Sequence, residues 1–348
     1  MPALTIDQPT KSPLATKKAP HVIGPKTKKA TRPTTEIPQY LIDEAHQVAP
    51  VPWNPEIHLA FQPPKRIVTM KDIGLEGEGI SPHAVSDPFP LFSRDAMLQM
   101  RREVFSEPVL RDCRYSSDFI ANMVRGMGPE RAPFTYNAWY SPEVLAKISE
   151  VAGIELVPAF DFEVSNINIS INDQNATVLT GMDEKSSVAW HHDSYPFVCV
   201  TMASDCTDMV GGETAIKLPN SEEIVKVRGP AMGTAVVMQG RYIYHQALKA
   251  FGGRERIAMV TSFRPKSPFV RDETILTGVR GISNLNELYP QYTEYRLEIL
   301  EERFRAKLKE ERRRQVMHHP FNLTDIRAFL TEQKEYLESM LEELYAVE

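Results

Sequence analysis

A mainly β fold with flanking helices, built around a compact antiparallel barrel or sandwich, is predicted by three features of this 348-residue chain. Between residues 162 and 263, apolar residues recur with a period of two in seven strand-length runs. Turn sequences such as Asn172-Asp173, Gly211-Gly212, Gly229-Pro230 and Gly252-Gly253 separate many of these runs. The connections leave no room for the crossover helices that a parallel sheet requires.

The elements follow in order. Residues 1–35 hold seven Lys or Arg, one Asp and six Pro without periodic apolar residues, a pattern that predicts a flexible basic arm. From Ile37 to Pro64 an irregular path across the main body is expected, because Pro55, Pro63 and Pro64 deny the helical conformation to the residue before each. Ile67, Val68 and Met70 suggest a short strand. Ser93–Phe105 reads as a helix capped by Ser93, with Met97, Met100, Val104 and Phe105 at helical spacing and Pro108 as its stop. A second helix follows Ser141 as cap and Pro142 as first residue; Val144, Leu145, Ile148 and Val151 form its stripe and Gly153 ends it. The strands are Phe162–Ile171, Ser187–Asp193, Phe197–Ala203, Thr214–Leu218, Ala235–Met238, Ile243–His245 and Arg256–Phe263.

Helical spacing returns after Pro290, from Tyr292 to about Val316, and again from an Asp325 cap to Leu344. The apolar stripes Tyr295, Leu297, Leu300, Phe304, Leu308 and Leu330, Leu337, Leu341, Leu344 must cover a core or meet another subunit, so a homodimer through these helices is one expectation. The chain thus divides into the arm (1–35), a barrel domain with helical elements at its start (36–285) and a C-terminal helical extension (286–348).

With 42% hydrophobic and 25% charged residues, the composition is globular, and the net charge of −6 argues against a nucleic-acid partner. No apolar run reaches signal-peptide or membrane-span length, which predicts a soluble cytoplasmic protein without a membrane partner. Three cysteines, Cys113, Cys199 and Cys206, are too few and too irregularly spaced for a disulfide framework or a zinc knuckle.

The chemistry-bearing residues lie in the strand region. In Trp190-His191-His192-Asp193, alternation puts His191 and Asp193 on one face and Trp190 and His192 on the other. An imidazole and a carboxylate make two legs of a metal site. His245 is the one further histidine in a later barrel strand, 52 residues on. Two histidines and a carboxylate bind one face of an octahedral iron and leave three positions open; zinc in a hydrolytic site accepts the same ligands. A catalytically inert barrel used for protein interaction is the remaining alternative. In the last strand, Arg256, Ala258, Val260, Ser262 and Arg264 share a face, and a guanidinium there can clamp a carboxylate through two parallel hydrogen bonds. Asn166 and Asn168 share a face of the first strand and are available to a polar cavity, and Tyr195 flanks the ligands. These three are the candidate substrate residues.

His191-x-Asp193, Gly211-Gly212-Glu213-Thr214, His245 and an arginine eleven residues later resemble the iron(II)/2-oxoglutarate-dependent oxygenases over about residues 65–275. The resemblance implies a double-stranded β-helix (a jelly-roll, cupin-like barrel) with iron(II) held by His191, Asp193 and His245. It also implies 2-oxoglutarate and dioxygen as co-substrates and a small-molecule substrate. Members often place the co-substrate arginine ten residues after the distal histidine and follow it with x-Ser; here Glu255 stands at that distance and Arg256-Ile257-Ala258 replaces the triplet. Arg256 and Arg264 are therefore both candidates for the clamp. The WHHDSYPF and YHQALK contexts are similar to fungal oxygenases of secondary metabolism, a group that includes an aziridine-forming oxygenase of L-valine. That likeness implies hydroxylation or oxidative ring closure on a small polar substrate such as an amino acid.

Overall fold

Eight strands carry the architecture, and their order identifies it. The computed structural model describes residues 19–118, 120, 122–171, 186–206, 209–218, 224–227, 231–248, 250–251 and 253–347. The expected turns at Asn172-Asp173 and Gly229-Pro230, Gly252, and the first eighteen residues of the arm lie outside them. The strands are β1 (Asn166–Ile171), β2 (Ser186–His191), β3 (Phe197–Met202), β4 (Thr214–Lys217), β5 (Ile224–Val227), β6 (Thr234–Met238), β7 (Tyr244–Leu248) and β8 (Glu255–Pro265). One sheet contains the neighbours β6-β3-β8-β1 and the other β5-β4-β7-β2, all antiparallel. The chain therefore passes between two facing sheets in the sequence of a jelly roll, the double-stranded β-helix. Among the described residues the larger sheet grows to ten strands, extended past β6 by Ile67–Thr69 and His83–Ser86 and past β1 by Met123–Val124 and Arg114–Tyr115.

Alternation along β8 separates two cores. Ile257, Met259 and Phe263 face outward into a layer of helices that contributes Met97, Met100, Trp139, Val144 and Ile148. Removing a side chain as buried as Phe263 costs about 3–5 kcal/mol. Val260 faces inward with Val198 of β3, Ile216 of β4 and Met238 of β6, filling the space between the sheets. Arg256, Ala258, Val260, Ser262 and Arg264 thus share the barrel-interior face, and the register aligns Asn166 with Val260 and Asn168 with Ala258 on it.

The flanking helices are α1 (Gln39–His46), α2 (Arg94–Val104), α3 (Pro142–Ala152), α4 (Leu285–Val316) and α5 (Leu323–Glu343). Ser93 caps α2 through Ala96 N and Ser141 caps α3 through Val144 N. Gly153 ends α3 in the left-handed conformation at φ 70°.

Several local expectations are corrected. The segment after Ile37 is not irregular throughout: α1 and a turn of helix at Pro55–His58 lie within it. Pro108 does not merely stop α2; it is the second residue of a further helix, Glu107–Asp112. The run from Phe162 starts as a 3-10 turn at Asp161–Glu163, and Ser165 at φ 57° breaks the alternation before β1 begins. Pro290 does not precede α4 but lies within it, and Asn322, not Asp325, caps α5. The C-terminal stripes are only partly buried: Tyr295 and Leu300 pack inward, whereas Leu297, Phe304, Leu308, Leu330, Leu337 and Leu341 are exposed.

Two tethers fix the surroundings of the barrel mouth. Arg296 of α4 is fully buried against Asp272 and lies 3.6 Å from the centre of the Tyr336 ring, which docks the α4–α5 hairpin. Residues 19–31 form a strap. Its Pro20 carbonyl accepts from Arg241, Val22 is buried, Thr27 bonds Asp118, and Thr31 pairs with Ser116. Among the described residues no helix is long and apolar enough to cross a membrane.

Candidate metal centre

Strand β2 delivers His191 to the barrel interior, and β7 pairs with it so that His245 lies opposite. Their ring centres are 4.3 Å apart. Trp190 and His192 turn the other way and pack on Tyr244, with centroids at 5.4 and 5.0 Å. Asp193 follows two residues after the strand's last histidine, and its amide donates to the Gly240 carbonyl at 2.9 Å. One ligand atom from each of His191, Asp193 and His245 lies within 4.8 Å of the others. Asp193 Oδ1 is 3.3 Å from His191 Nε2 and 3.7 Å from His245 Nε2.

The electrostatics suit a cation. His245 Nδ1 lies 2.9 Å from the Ile243 carbonyl, an acceptor only, so Nδ1 carries the proton and Nε2 offers its lone pair to the cluster. Burial pushes the His245 imidazole down to about 4, which keeps it neutral near pH 7. Burial pushes the Asp193 carboxyl up, but His245 and His191 outweigh it and hold the group below the usual carboxylate range. Asp193 Oδ2 is buried and without a hydrogen-bond partner among the described residues. An orphaned carboxylate oxygen is costly in a protein interior, and a metal ion relieves that cost. The donor set of two imidazoles and one carboxylate therefore fits iron(II). A second acidic group, Glu310, Glu311 and Asp325, is closed by the Lys307 ammonium.

Gly240 was not singled out by sequence reasoning, although it stands in the approach to the distal histidine. A Cβ built on it falls 1.8 Å from Asp193 Oδ2, so the carboxylate occupies space that any other residue would fill. Its neighbour Arg241 donates to Glu273 O and Pro20 O, which joins the strap to this corner.

The two arginines occupy opposite ends of β8. Arg256 Nη2 donates to the Gly212 carbonyl at 3.1 Å. Gly212 precedes Glu213, whose carbonyl accepts from Leu248 N, three residues beyond His245 on β7. The Arg256 guanidinium therefore lies against the segment that leads into β4, the strand paired with β7. Arg264 is directed to the wall: it donates to the carbonyls of Ala159 and Pro265 and stacks 4.7 Å from the centre of the Tyr295 ring.

Asn166 is buried, donates to Glu163 Oε2 at 2.8 Å and leaves its Oδ1 without a partner among the described residues. Asn168 shares its face, half-buried. Tyr195 is buried beside Glu163; burial and that carboxylate drive its phenol far above the ordinary value. Glu163 and its ion-pair partner Arg125, both buried, were missed. Glu163 was assigned to a strand that starts only later, and Arg125 stands alone in MVRGMG, where neither periodicity nor spacing marks it.

No family model matches the sequence, and no curated protein matches it. Solved structures resemble parts of the chain. An oxidoreductase of the 2OG-Fe(II) oxygenase family from Burkholderia pseudomallei is 16% identical over 41% of this chain and 65% of its own, with a TM-score of 0.30. The chain thus spans just under two thirds of that protein. For AviO1 of Streptomyces viridochromogenes the identity is 15% over 53% of this chain and 90% of its own (TM-score 0.36), and for the epimerase SnoN of nogalamycin biosynthesis 16% over 46% and 75% (TM-score 0.32). These likenesses are partial, and the function is read from the side chains themselves.

Proposed function

We propose that this chain is a non-haem iron(II)/2-oxoglutarate-dependent oxygenase that oxidises a small polar substrate, an amino acid in its zwitterionic form. The observation that carries this reading is the His191–Asp193–His245 cluster, accompanied by Arg256 at the start of β8. Two imidazoles and one carboxylate would hold iron and leave adjacent positions open. With iron bound, the centre uses dioxygen and the decarboxylation of 2-oxoglutarate to succinate to oxidise a substrate C–H bond.

The protein's own part is placement. In this reading Arg256 takes the far carboxylate of a five-carbon diacid whose other end would chelate the metal. A zinc hydrolase with the same ligands has no use for that charge. Asn166 Oδ1 offers an unsatisfied acceptor to a substrate ammonium, and the Arg125–Glu163 pair holds the amide in that orientation. Asn168 and Tyr195 extend this polar wall, and Phe160 packs edge-on against Tyr195. Arg264, engaged by the Ala159 and Pro265 carbonyls and the Tyr295 ring, would have to leave those partners to meet a substrate carboxylate. The three cysteines are buried thiols, in keeping with a cytoplasmic location.

Anaerobic addition of iron(II) and then 2-oxoglutarate to the full chain tests the reading. A visible metal-to-co-substrate absorption band at one equivalent of each is expected, followed by succinate formation stimulated by one of the small amino acids on admission of air. Iron-loaded protein that takes up no 2-oxoglutarate overturns it.

A further inference from the structure

The C-terminal hairpin presents an apolar face that no other described residue of the chain covers. Helices α4 and α5 run antiparallel, joined by contacts of Arg296 with Tyr336, Arg303 with Gln333 and Lys307 with Asp325. About a quarter turn from those contacts on α4, Leu297, Phe304 and Leu308 are 51%, 44% and 51% exposed. On α5 the same spacing of seven and four recurs in Leu330, Leu337 and Leu341, with Leu323 one heptad earlier, all 44% to 73% exposed. At 3.6 residues per turn in antiparallel helices, both stripes fall on the side of the hairpin opposite the buried Tyr292, Tyr295 and Ile299. Seven-residue spacing of apolar positions is the pattern of a helix seam that meets another helix.

Charge identifies the occupant. The tip of the hairpin, residues 303–330, carries eight Lys or Arg against three Asp or Glu. The base, residues 285–302 and 331–344, carries two against ten. A partner of one sign suits only one end. A second copy rotated by 180° suits both, because its basic tip then lies on this acidic base and the reverse.

We propose that the chain forms a two-fold dimer through this face, the two hairpins packing antiparallel as a four-helix bundle. Helix α5 has 21 residues, about 31 Å, and two adjacent helices are roughly 20 Å wide. Each copy then contributes on the order of 600 Å², and the total of roughly 1,200 Å² meets the lower bound for a specific interface. Over the stripe, the leucines of one tip (Leu308, Leu323) come to lie on those of the other base (Leu297, Leu341). This assembly is independent of whether the barrel is an oxygenase.

The test is sedimentation equilibrium of the full chain across the micromolar range. A mass of twice 39.4 kDa that dissociates on dilution is expected. Leu330→Glu with Leu337→Glu should weaken the dimer at least a hundredfold while circular dichroism keeps its helix content. A tip-reversed variant (Arg312→Glu, Arg327→Glu) and a base-reversed variant (Glu294→Lys, Glu338→Lys) should each associate at least tenfold more weakly. Mixed in equal amounts they should restore a dimer containing one of each, an outcome that impaired folding does not produce. A constant mass of 39.4 kDa, a dimer indifferent to both sets of changes, or a mixture that stays monomeric overturns the proposal.

Discussion

Replacing Gly240 with alanine adds one methyl group beside Asp193. The new carbon would stand 1.8 Å from Oδ2, 2.6 Å from Cγ and 2.9 Å from Cβ of that residue. Ordinary non-bonded contact is about 3.5 Å, so one partner must move by roughly 1.7 Å. The glycine backbone is poorly placed to yield. Its carbonyl accepts from Asp193 N, the preceding Gln239 is anchored to Ile80, Ser81 and His83, and the following Arg241 is held by Glu273 and Pro20. The carboxylate swings instead. Metal ligands tolerate displacements of about 0.2 Å, so the variant loses its acidic ligand while keeping all three ligand residues. Even changes one shell out weaken metal binding about 10–100-fold, and this one should reach at least the upper figure. Overpacking adds a destabilisation of roughly 1–3 kcal/mol. Anaerobic calorimetric titration with iron(II), paired with a urea melt, separates the two effects. Combined with Asp193→Gly, the alanine should cost no further metal affinity, since the group it displaces is already gone. Wild-type metal affinity in Gly240→Ala would refute the reasoning.

Three further outcomes are expected. His191→Ala, Asp193→Ala and His245→Ala should each abolish turnover in a folded barrel, whereas His192→Ala retains measurable metal binding. Iron bound by His191→Ala but lost in His192→Ala reverses the strand register. Arg256→Ala should raise the 2-oxoglutarate requirement tenfold or more through loss of a charged contact of roughly 1.5–3 kcal/mol, and Arg264→Ala should leave it unchanged. Titration of the co-substrate into anaerobic iron-loaded protein measures both. Asp272→Asn should cost about 3–5 kcal/mol at pH 7, because it leaves the buried Arg296 uncompensated. Burial pushes Asp272 up, but Arg296 and Thr274 outweigh it and hold the carboxyl below its ordinary value. Its contribution is therefore complete above the unfolded range near pH 4 and is lost as pH falls through the lower folded value. Urea melts from pH 7 down to 3 should show the gap between wild type and variant closing; a gap constant with pH contradicts this origin.

The strands were legible because their alternate residues meet different layers, so period two is written into Ile257, Met259 and Phe263, which face the helices, against Ala258 and Val260, which face the barrel interior. The His-x-Asp register was legible for the same reason. Boundaries were less so wherever tertiary packing outweighed a local preference. Pro290 removes a backbone donor from α4, yet Leu288, Tyr292 and Tyr295 are buried on either side of it and hold the helix through the proline. Ser165 adopts a positive φ that no sequence pattern announces, and Val164, which strict alternation would put on the face of Asn166, lies in the outer core. Polar pairs such as Arg125–Glu163 join residues 38 positions apart and obey no period. The amphipathic pattern of α4 and α5 showed which residues are apolar but not which of their two flanks the barrel would cover.

The strap bears on the order of events during synthesis. The carbonyl of Pro20 and the guanidinium of Arg241 are 221 positions apart, and Gly24 lies against the Thr277 carbonyl. Residues 20–31 leave the ribosome long before the strands and loops they rest on exist, so they stay undocked while most of the barrel is made. They can settle only once the segment through residue 281 has emerged. The corner formed by Arg241, Gly240 and Asp193 is therefore secured late, by a piece of chain made well before it. A fusion partner or an early-folding tag that restrains residues 20–31 would delay the metal pocket itself, even though His191, Asp193 and His245 all lie at least 160 residues away in sequence.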